Sequence, residues 1–600
     1  MNLFLRKASI PFAAMLALTG CTDDKYDLDD LDTTSQIPIN DVVLPVNLEA
    51  IRLDDVIELS DNDNIVEATE AGGKKIYAFD KRGKITTDDV VIDAIEVTAE
   101  EVESTSAMLT RNDAETATLS DAVAYDMAHM TSQFSYSAAN VDEAVETIDF
   151  IETVEPMLFN VTLGVPANVA ADGVRMKDMK LHFPPGLYMT DGTPAHSTAG
   201  TYDPATGIVT VADHASAGGH SVTIEVEAYR CDMNANGVTI GSDRRLTFTG
   251  DLEVLDEGWL IVTPSAGASL PAAVGCTGDY SLSHFFVRNF DGRINYTVDG
   301  IDIEPITFDD LPDFLKSDQT QIFLANPQIY ITARNNTADY QTSAGAAISL
   351  TSYFSNNSER NELSDAFVMG YDLGPDKIYN IVLSPDGQQT VPQPEFADNI
   401  HKYTYAGLSD VLAAEGTPAG LPDRIEVELE DPRFFGDAKR FPVEVPGLDP
   451  SEYTIEGLNG EYTMFAPLAF DPETRIIYSK IDDGWESEDL DGLSITRMKL
   501  RAHATTTIDM NVVLTVYALD ANGNKMGRSL PVTLPPMADT DIEMIVEATA
   551  ESPIKALDGV EYHAVVSNEK DGHTTPLGPD ETIDLTGIKV NIDGSYTKDF

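Results

Sequence analysis

Hydrophobic and polar residues alternate with period two along much of the chain. Val222, Ile224 and Val226 interleave with Thr223, Glu225 and Glu227; Ile425, Val427 and Leu429 interleave with Glu426, Glu428 and Glu430. Ile588, Val590 and Ile592 repeat the arrangement near the carboxyl end. Successive side chains of a strand point to opposite faces, so this pattern sets one face on a core and the other in water, as in antiparallel sheets. Asn or Asp followed by Gly punctuates the strands at Asp172-Gly173, Asp191-Gly192, Asn236-Gly237, Asp291-Gly292, Asp386-Gly387, Asn522-Gly523 and Asp593-Gly594. Such pairs supply the positive φ angles of tight hairpin turns. The combination predicts an all-β fold of tandem antiparallel β-sandwich, immunoglobulin-like modules. Helix is sparse: short turns are predicted over 309–316 and 409–415, and a further one over 121–130.

A faint repeat runs through the middle. Thr307-Phe308-Asp309-Asp310-Leu311-Pro312-Asp313-Phe314-Leu315 resembles Thr404-Tyr405-Ala406-Gly407-Leu408-Ser409-Asp410-Val411-Leu412. Each copy is followed by a related corner, Leu324-Ala325-Asn326-Pro327 in one and Leu429-Glu430-Asp431-Pro432 in the other. Ile51-Arg52-Leu53-Asp54-Asp55-Val56 is a third partial copy. Each copy reads as a strand end, a polar turn and a helical turn whose apolar side chains pack back onto a sheet. The expected organisation is a leader over 1–20, an acidic tether over 21–36, a β-rich region over 37–130, and sandwich modules over 131–294, 295–400 and 401–600.

The amino-terminal segment gives an address. Arg6 and Lys7 precede an apolar run from Ile10 to Leu18, and Leu18-Thr19-Gly20-Cys21 follows. The run is too short for a bilayer span, which needs roughly 20 apolar residues. This segment resembles a bacterial lipoprotein signal peptide, and the resemblance implies that Cys21 becomes the lipid-bearing (palmitate-type) first residue. Asp23, Asp24, Asp27, Asp29, Asp30 and Asp32 come next. A segment this charged cannot bury enough apolar surface to fold, which predicts an extended tether. It also looks like the surface-export signal of Bacteroidota-type outer-membrane lipoproteins, which implies lipid anchoring with surface exposure. The competing reading of the acidic stretch is an ordinary solvated linker.

Bulk charge narrows the partners. The whole chain carries a formal charge of −63, and loss of Arg6 and Lys7 with the leader makes it −65. Nucleic acid is excluded as a partner, because phosphate binding needs clustered Lys and Arg. The expected partners are the membrane, through the lipid, and a protein or glycan ligand. Cys231 and Cys276 are the cysteines besides Cys21. In an oxidising compartment they could form a disulfide; two separate buried thiols are the alternative.

Candidate chemistry is thin. No Gly-x-Ser-x-Gly elbow, zinc helix, phosphate loop or dinucleotide fingerprint is present, and the histidines are scattered. A non-enzymatic protein is expected, with a hydrolase built on dispersed carboxylates as the lowest-ranked alternative. Asp232, Asn234, Asn236 and Asp243 occupy calcium-loop spacing, with the Val238 carbonyl between them and Gly237 at the bend. They are a candidate Ca²⁺ site; Asp520-Ala521-Asn522-Gly523-Asn524, in a similar context, favours a plain hairpin for both. No other cofactor is expected. Trp485, in an acidic loop-like stretch, is a candidate glycan-stacking residue, and Trp259, beside Leu260, Ile261 and Val262, reads as core. The leading expectation is a lipid-anchored surface protein acting in adhesion or structural contacts; a glycan-binding lipoprotein of a polysaccharide-uptake system is the runner-up.

Overall fold

The structure is a computed structural model describing residues 34–44, 64–69, 73–216, 218–308, 311–372, 377–389, 400–415, 418–485, 492–549, 552–568 and 574–599. Cys21, residues 21–33 of the expected tether and the Ile51–Val56 copy lie outside them; residues 34–36, expected in the tether, open the strand Thr34–Val43. The fold is all-β, built of β-sheets layered as sandwiches. Among the described residues the strand pairings are antiparallel except that strand Ile378–Ser384 runs parallel to Ile400–Thr404.

The long strand Val145–Gly164 organises the first half. Ser221–Asp232 pairs along one side of it, and Ala273–Leu282 and Phe285–Thr297 along the other. A facing layer contains Met130–Ala138, Leu246–Val254, Ala171–His182 and Trp259–Pro264. Phe134 and Tyr136 from that layer meet Phe159 and Phe285 from the first, with ring centroids 5.4–6.2 Å apart, and Phe248 packs on Phe134 and Tyr136 within its own layer. Each ring is nearly water-free, and burial of such a side chain contributes about 1.5–3 kcal/mol.

Phe285–Thr297 carries the ladder onward to Arg424–Pro442, which pairs with Ser343–Tyr353. Packed against these is a seven-stranded sheet in which Lys75–Thr86 lies beside Asn459–Pro467, and Asn459–Pro467 beside Gln328–Arg334. A second, separate core fills the carboxyl-terminal sandwich, where Met498, Leu500, Val516 and Val590 are fully buried. There the first described strand, Thr34–Val43, pairs with the last, Ile583–Asp599.

The predicted repeat has a structural counterpart. Leu408–Val411 is a single α-turn with Leu408 and Val411 buried, and Asp313–Leu315 is a 3₁₀ turn with Leu311 and Leu315 buried. At the two corners Asn326 and Asp431, each before a proline, share a φ of +49°. Asn and Asp tolerate that left-handed geometry best among side-chain-bearing residues.

Two expectations fail. Residues 121–130 form no helix but the strand Val123–Asp126 and the start of Met130–Ala138, because Val123, Ala124 and Tyr125 are all buried beside Leu260 and Val262. A four-residue helix instead occupies Asp113–Thr116, capped by the Asn112 side chain. Gly192, Gly237, Gly387 and Gly523 have positive φ as turns require, but Gly173, Gly292 and Gly594 lie inside strands. At Gly292 and Gly594 a Cβ would sit 2.0 Å and 2.1 Å from a neighbouring strand's carbonyl oxygen. Close backbone approach at irregular register, not turning, selects glycine there.

Candidate functional site

The candidate calcium residues form a self-satisfied turn. The Asp232 carboxylate accepts from the Ala235 amide at 3.0 Å. Asn236 turns its amide nitrogen inward, donating to the Pro185 carbonyl at 2.9 Å and the Asp232 carbonyl at 2.8 Å. Asn234 donates to Asp149 at 3.1 Å, and Gly237 closes the 3₁₀ turn Asn234–Asn236 at φ +64°. The Val238 amide returns to the Met233 carbonyl, while Asp243 accepts from Arg245 in the next turn. A calcium site needs converging oxygens, whereas here donor nitrogens converge on backbone carbonyls. Among the described residues, no three His, Cys, Asp or Glu side chains stand in a metal-holding arrangement.

The other sequence candidates are placed as follows. Trp485 is half-buried against the carboxyl-terminal core, its Nε1 donating to Asp482 at 3.1 Å. Trp259 is likewise partly covered: Nε1 donates to Asp126 at 3.1 Å and the Lys177 ammonium lies 5.4 Å from its ring centroid. Cys231 and Cys276 are free, buried thiols. Cys231 sits opposite Ile151 near one end of Val145–Gly164, while Thr277, next to Cys276, sits opposite Gly164 at the other. Thirteen strand residues, roughly 40 Å, separate those partners. A disulfide needs Cα atoms within about 7 Å, so of the two readings the disulfide fails and the separate buried thiols stand. Burial pushes both up, Cys276 to about 12, leaving little thiolate.

The concavity that does gather polar side chains was not assembled from the sequence. An open groove of about 920 Å³ lies where the segments Leu187–Tyr188 and His196–Ser197 pair with strand Ser221–Asp232 and meet Thr201–Asp203. Met189, Pro194 and Ala195 give it apolar surface. Thr190, Thr193, Ser197 and Thr201 contribute hydroxyls, and Asp191, His196 and Glu227 the ionisable groups.

Local folding fixes these positions. Met189 and Thr193 close a tight turn, the Met189 amide donating to the Thr193 carbonyl at 2.8 Å with Gly192 at φ +80°. Within it, the Thr193 hydroxyl and amide both donate to Asp191 Oδ1, at 2.6 and 2.9 Å. Those two bonds, the hydroxyl's first, hold the Asp191 carboxyl below its ordinary range. His196 and Glu227 are cross-strand partners. The neighbouring Tyr229 hydroxyl is raised by desolvation and by the Glu227 carboxylate. Under the rim, buried Tyr202 donates to the Pro184 carbonyl at 2.6 Å and accepts from the Leu187 amide at 3.2 Å. Gly200 must be glycine, since a Cβ would lie 2.2 Å from the Thr210 carbonyl oxygen. The groove is therefore held rigid by its own hydrogen bonds. Asp191-Gly192, read from sequence only as a hairpin, was its one visible signal.

No protein-family model matches the chain, and no curated protein does. Among solved structures it is similar to a "putative secreted protein" from Parabacteroides distasonis, with 15% identity and a TM-score of 0.32 over 51% of this chain and 90% of that one.

Proposed function

We propose that the protein is a non-enzymatic lipoprotein of the outer-membrane surface, held by lipid on Cys21 and acting through contacts made by its β-sandwich array. The observation that carries this reading is the order Leu18-Thr19-Gly20-Cys21 followed by six aspartates within ten residues, 23–32. Two or more acyl chains on Cys21 give stable attachment, at about 0.8 kcal/mol per buried CH₂. Thirteen residues, 21–33, precede the first described strand. Fully extended they reach roughly 45 Å, enough to hold the folded part clear of the lipid headgroups. The test is metabolic labelling with palmitate together with protease shaving of intact cells. Label is expected in the wild type and absent in Cys21→Ala, with the wild-type chain cleaved from outside; an unlabelled wild type, or one protected from protease, sinks the proposal.

A glycan-capture role is the second reading. It draws support from the hydroxyl- and carboxylate-lined groove rather than from Trp485, whose ring is engaged with its own module.

A further inference from the structure

We infer that the groove bounded by Met189–Thr193, His196–Ser197, Thr201 and Glu227 binds a neutral polysaccharide chain, an inference that rests on the glycan-capture reading above and names its ligand class.

Lining chemistry selects the ligand class. Lysine and arginine are absent from the described lining, so an anionic polymer would meet uncompensated carboxylates inside a molecule of net charge −63. An apolar ligand would strip water from four hydroxyls and two carboxylates without replacing their hydrogen bonds. A polyhydroxylated chain replaces them. The Thr190, Ser197 and Thr201 hydroxyls can donate and accept, the Thr193 hydroxyl, which already donates to Asp191, can accept, and an ionised carboxylate accepts from sugar hydroxyls in short, charge-assisted bonds. The Thr193 bonds favour the charged form of Asp191, and both of them fall on Oδ1. His196 and Glu227 face one another across adjacent strands, presenting a donor–acceptor pair beside that turn. Met189 and Pro194 offer apolar surface to the C–H face of a sugar ring, with Ala195 buried beneath them.

Geometry supports a polymer. The groove is open rather than enclosed, so a chain can cross it without a terminus entering. Its rim is already ordered by backbone and side-chain bonds, which reduces the ordering cost on binding. It also lies on the amino-terminal sandwich, whereas the strand that follows the tether is in the carboxyl-terminal one.

The rival occupant is a cationic peptide drawn by Asp191 and Glu227, and salt separates the two. The full mature lipoprotein in detergent micelles would be titrated calorimetrically with laminarin, xylan, mannan and inulin, and with polylysine. At least one neutral glycan is expected to bind, with affinity unchanged at high salt, where exposed charge pairs are screened. The double variant Asp191→Asn/Glu227→Gln is expected to bind that glycan at least about tenfold more weakly. Its thermal midpoint should not move, because the amide oxygen that Asp191→Asn leaves in place still accepts the Thr193 bonds. No glycan binding, equal binding by the variant, or binding of polylysine alone that salt abolishes would each overturn the inference. Palmitate labelling and shaving do not depend on the groove, so the anchored-surface reading stands or falls separately.

Discussion

At the scale of single residues, the most consequential charge is Glu152. It is 7% exposed on strand Val145–Gly164, and the Arg440 guanidinium reaches both its oxygens, at 2.8 and 3.2 Å. Arg230 stands farther off, at 3.7 Å. Arg440 comes from the distant strand Arg424–Pro442, whose backbone is pinned where the Arg440 amide donates to Asp291 at 2.7 Å. Arg440→Met would leave a buried carboxylate short of its main partner. A loss of about 2–4 kcal/mol is expected, read as a lowered urea midpoint, and Glu152→Gln/Arg440→Met should recover part of it. His503 is a milder case on the surface. A hydrogen bond to Asp541, with Asp539 on the other ring nitrogen, raises it above its ordinary 6.5. A raised histidine adds stability that is fully present below the unfolded value and fades as pH rises through the folded one. The His503 ring signals in NMR should therefore titrate above pH 6.5, and His503→Gln should remove that part of the pH dependence.

At the scale of elements, strands were legible and their punctuation only partly so. Alternation at Val222, Ile224 and Val226 identifies a real buried face, since all three are essentially inaccessible. The same reasoning reached Leu408 and Val411 in their single helical turn. It failed where one dipeptide serves two backbones. Turns such as Asn522-Gly523 and strand bulges such as Asp291-Gly292 both favour Asn or Asp before Gly, one for a left-handed φ and the other for contact with a neighbouring strand, and composition does not separate them. Substitution does. Gly292→Ala would press a methyl to 2.0 Å from the Thr147 carbonyl, and a loss of at least about 2 kcal/mol is expected. Gly523→Ala has φ +77° but nothing within 4 Å, so a loss of ~1 kcal/mol is expected from backbone strain alone. Chemical denaturation of both variants checks the order; equal losses would count against the bulge argument. The groove was invisible for a related reason: its hydroxyls lie close together within residues 190–201, but Glu227 joins them only through the long-range pairing of His196–Ser197 with strand Ser221–Asp232.

For the whole molecule, spatial order departs from chain order. Lys75–Thr86 lies beside Asn459–Pro467, and the first described strand beside the last. Local patterning fixes which residues form strands, but partner choice across such separations depends on loop closure and shared cores that no window of sequence contains. One outcome is a carboxyl-terminal core whose final strand is central: Ile583–Asp599 lies between Thr34–Val43 and Leu493–Thr506. Truncation after Thr582 should therefore unfold that sandwich cooperatively. Buried Met498, Leu500 and Val516 would lose Val590 and Ile592 as neighbours. Limited proteolysis is expected to cut within 493–547 in the truncated chain and spare it in the intact one. A protected truncated chain would show that the final strand is dispensable.

The pairing of Thr34 with Asp599 has a mechanical consequence. Under the proposed anchorage, any drag on the array enters the fold through Thr34, at one end of a two-strand ladder. A pull directed away from the sheet opens that ladder one rung at a time, from Thr34 toward Val43, at low force. A pull along the strand must break its rungs together. The rungs between Ile39 and Val42 are interrupted by a bulge, where the ladder is locally weaker. The first strand would then act as a fuse: it yields and lengthens the leash before the load unfolds the sandwiches behind it.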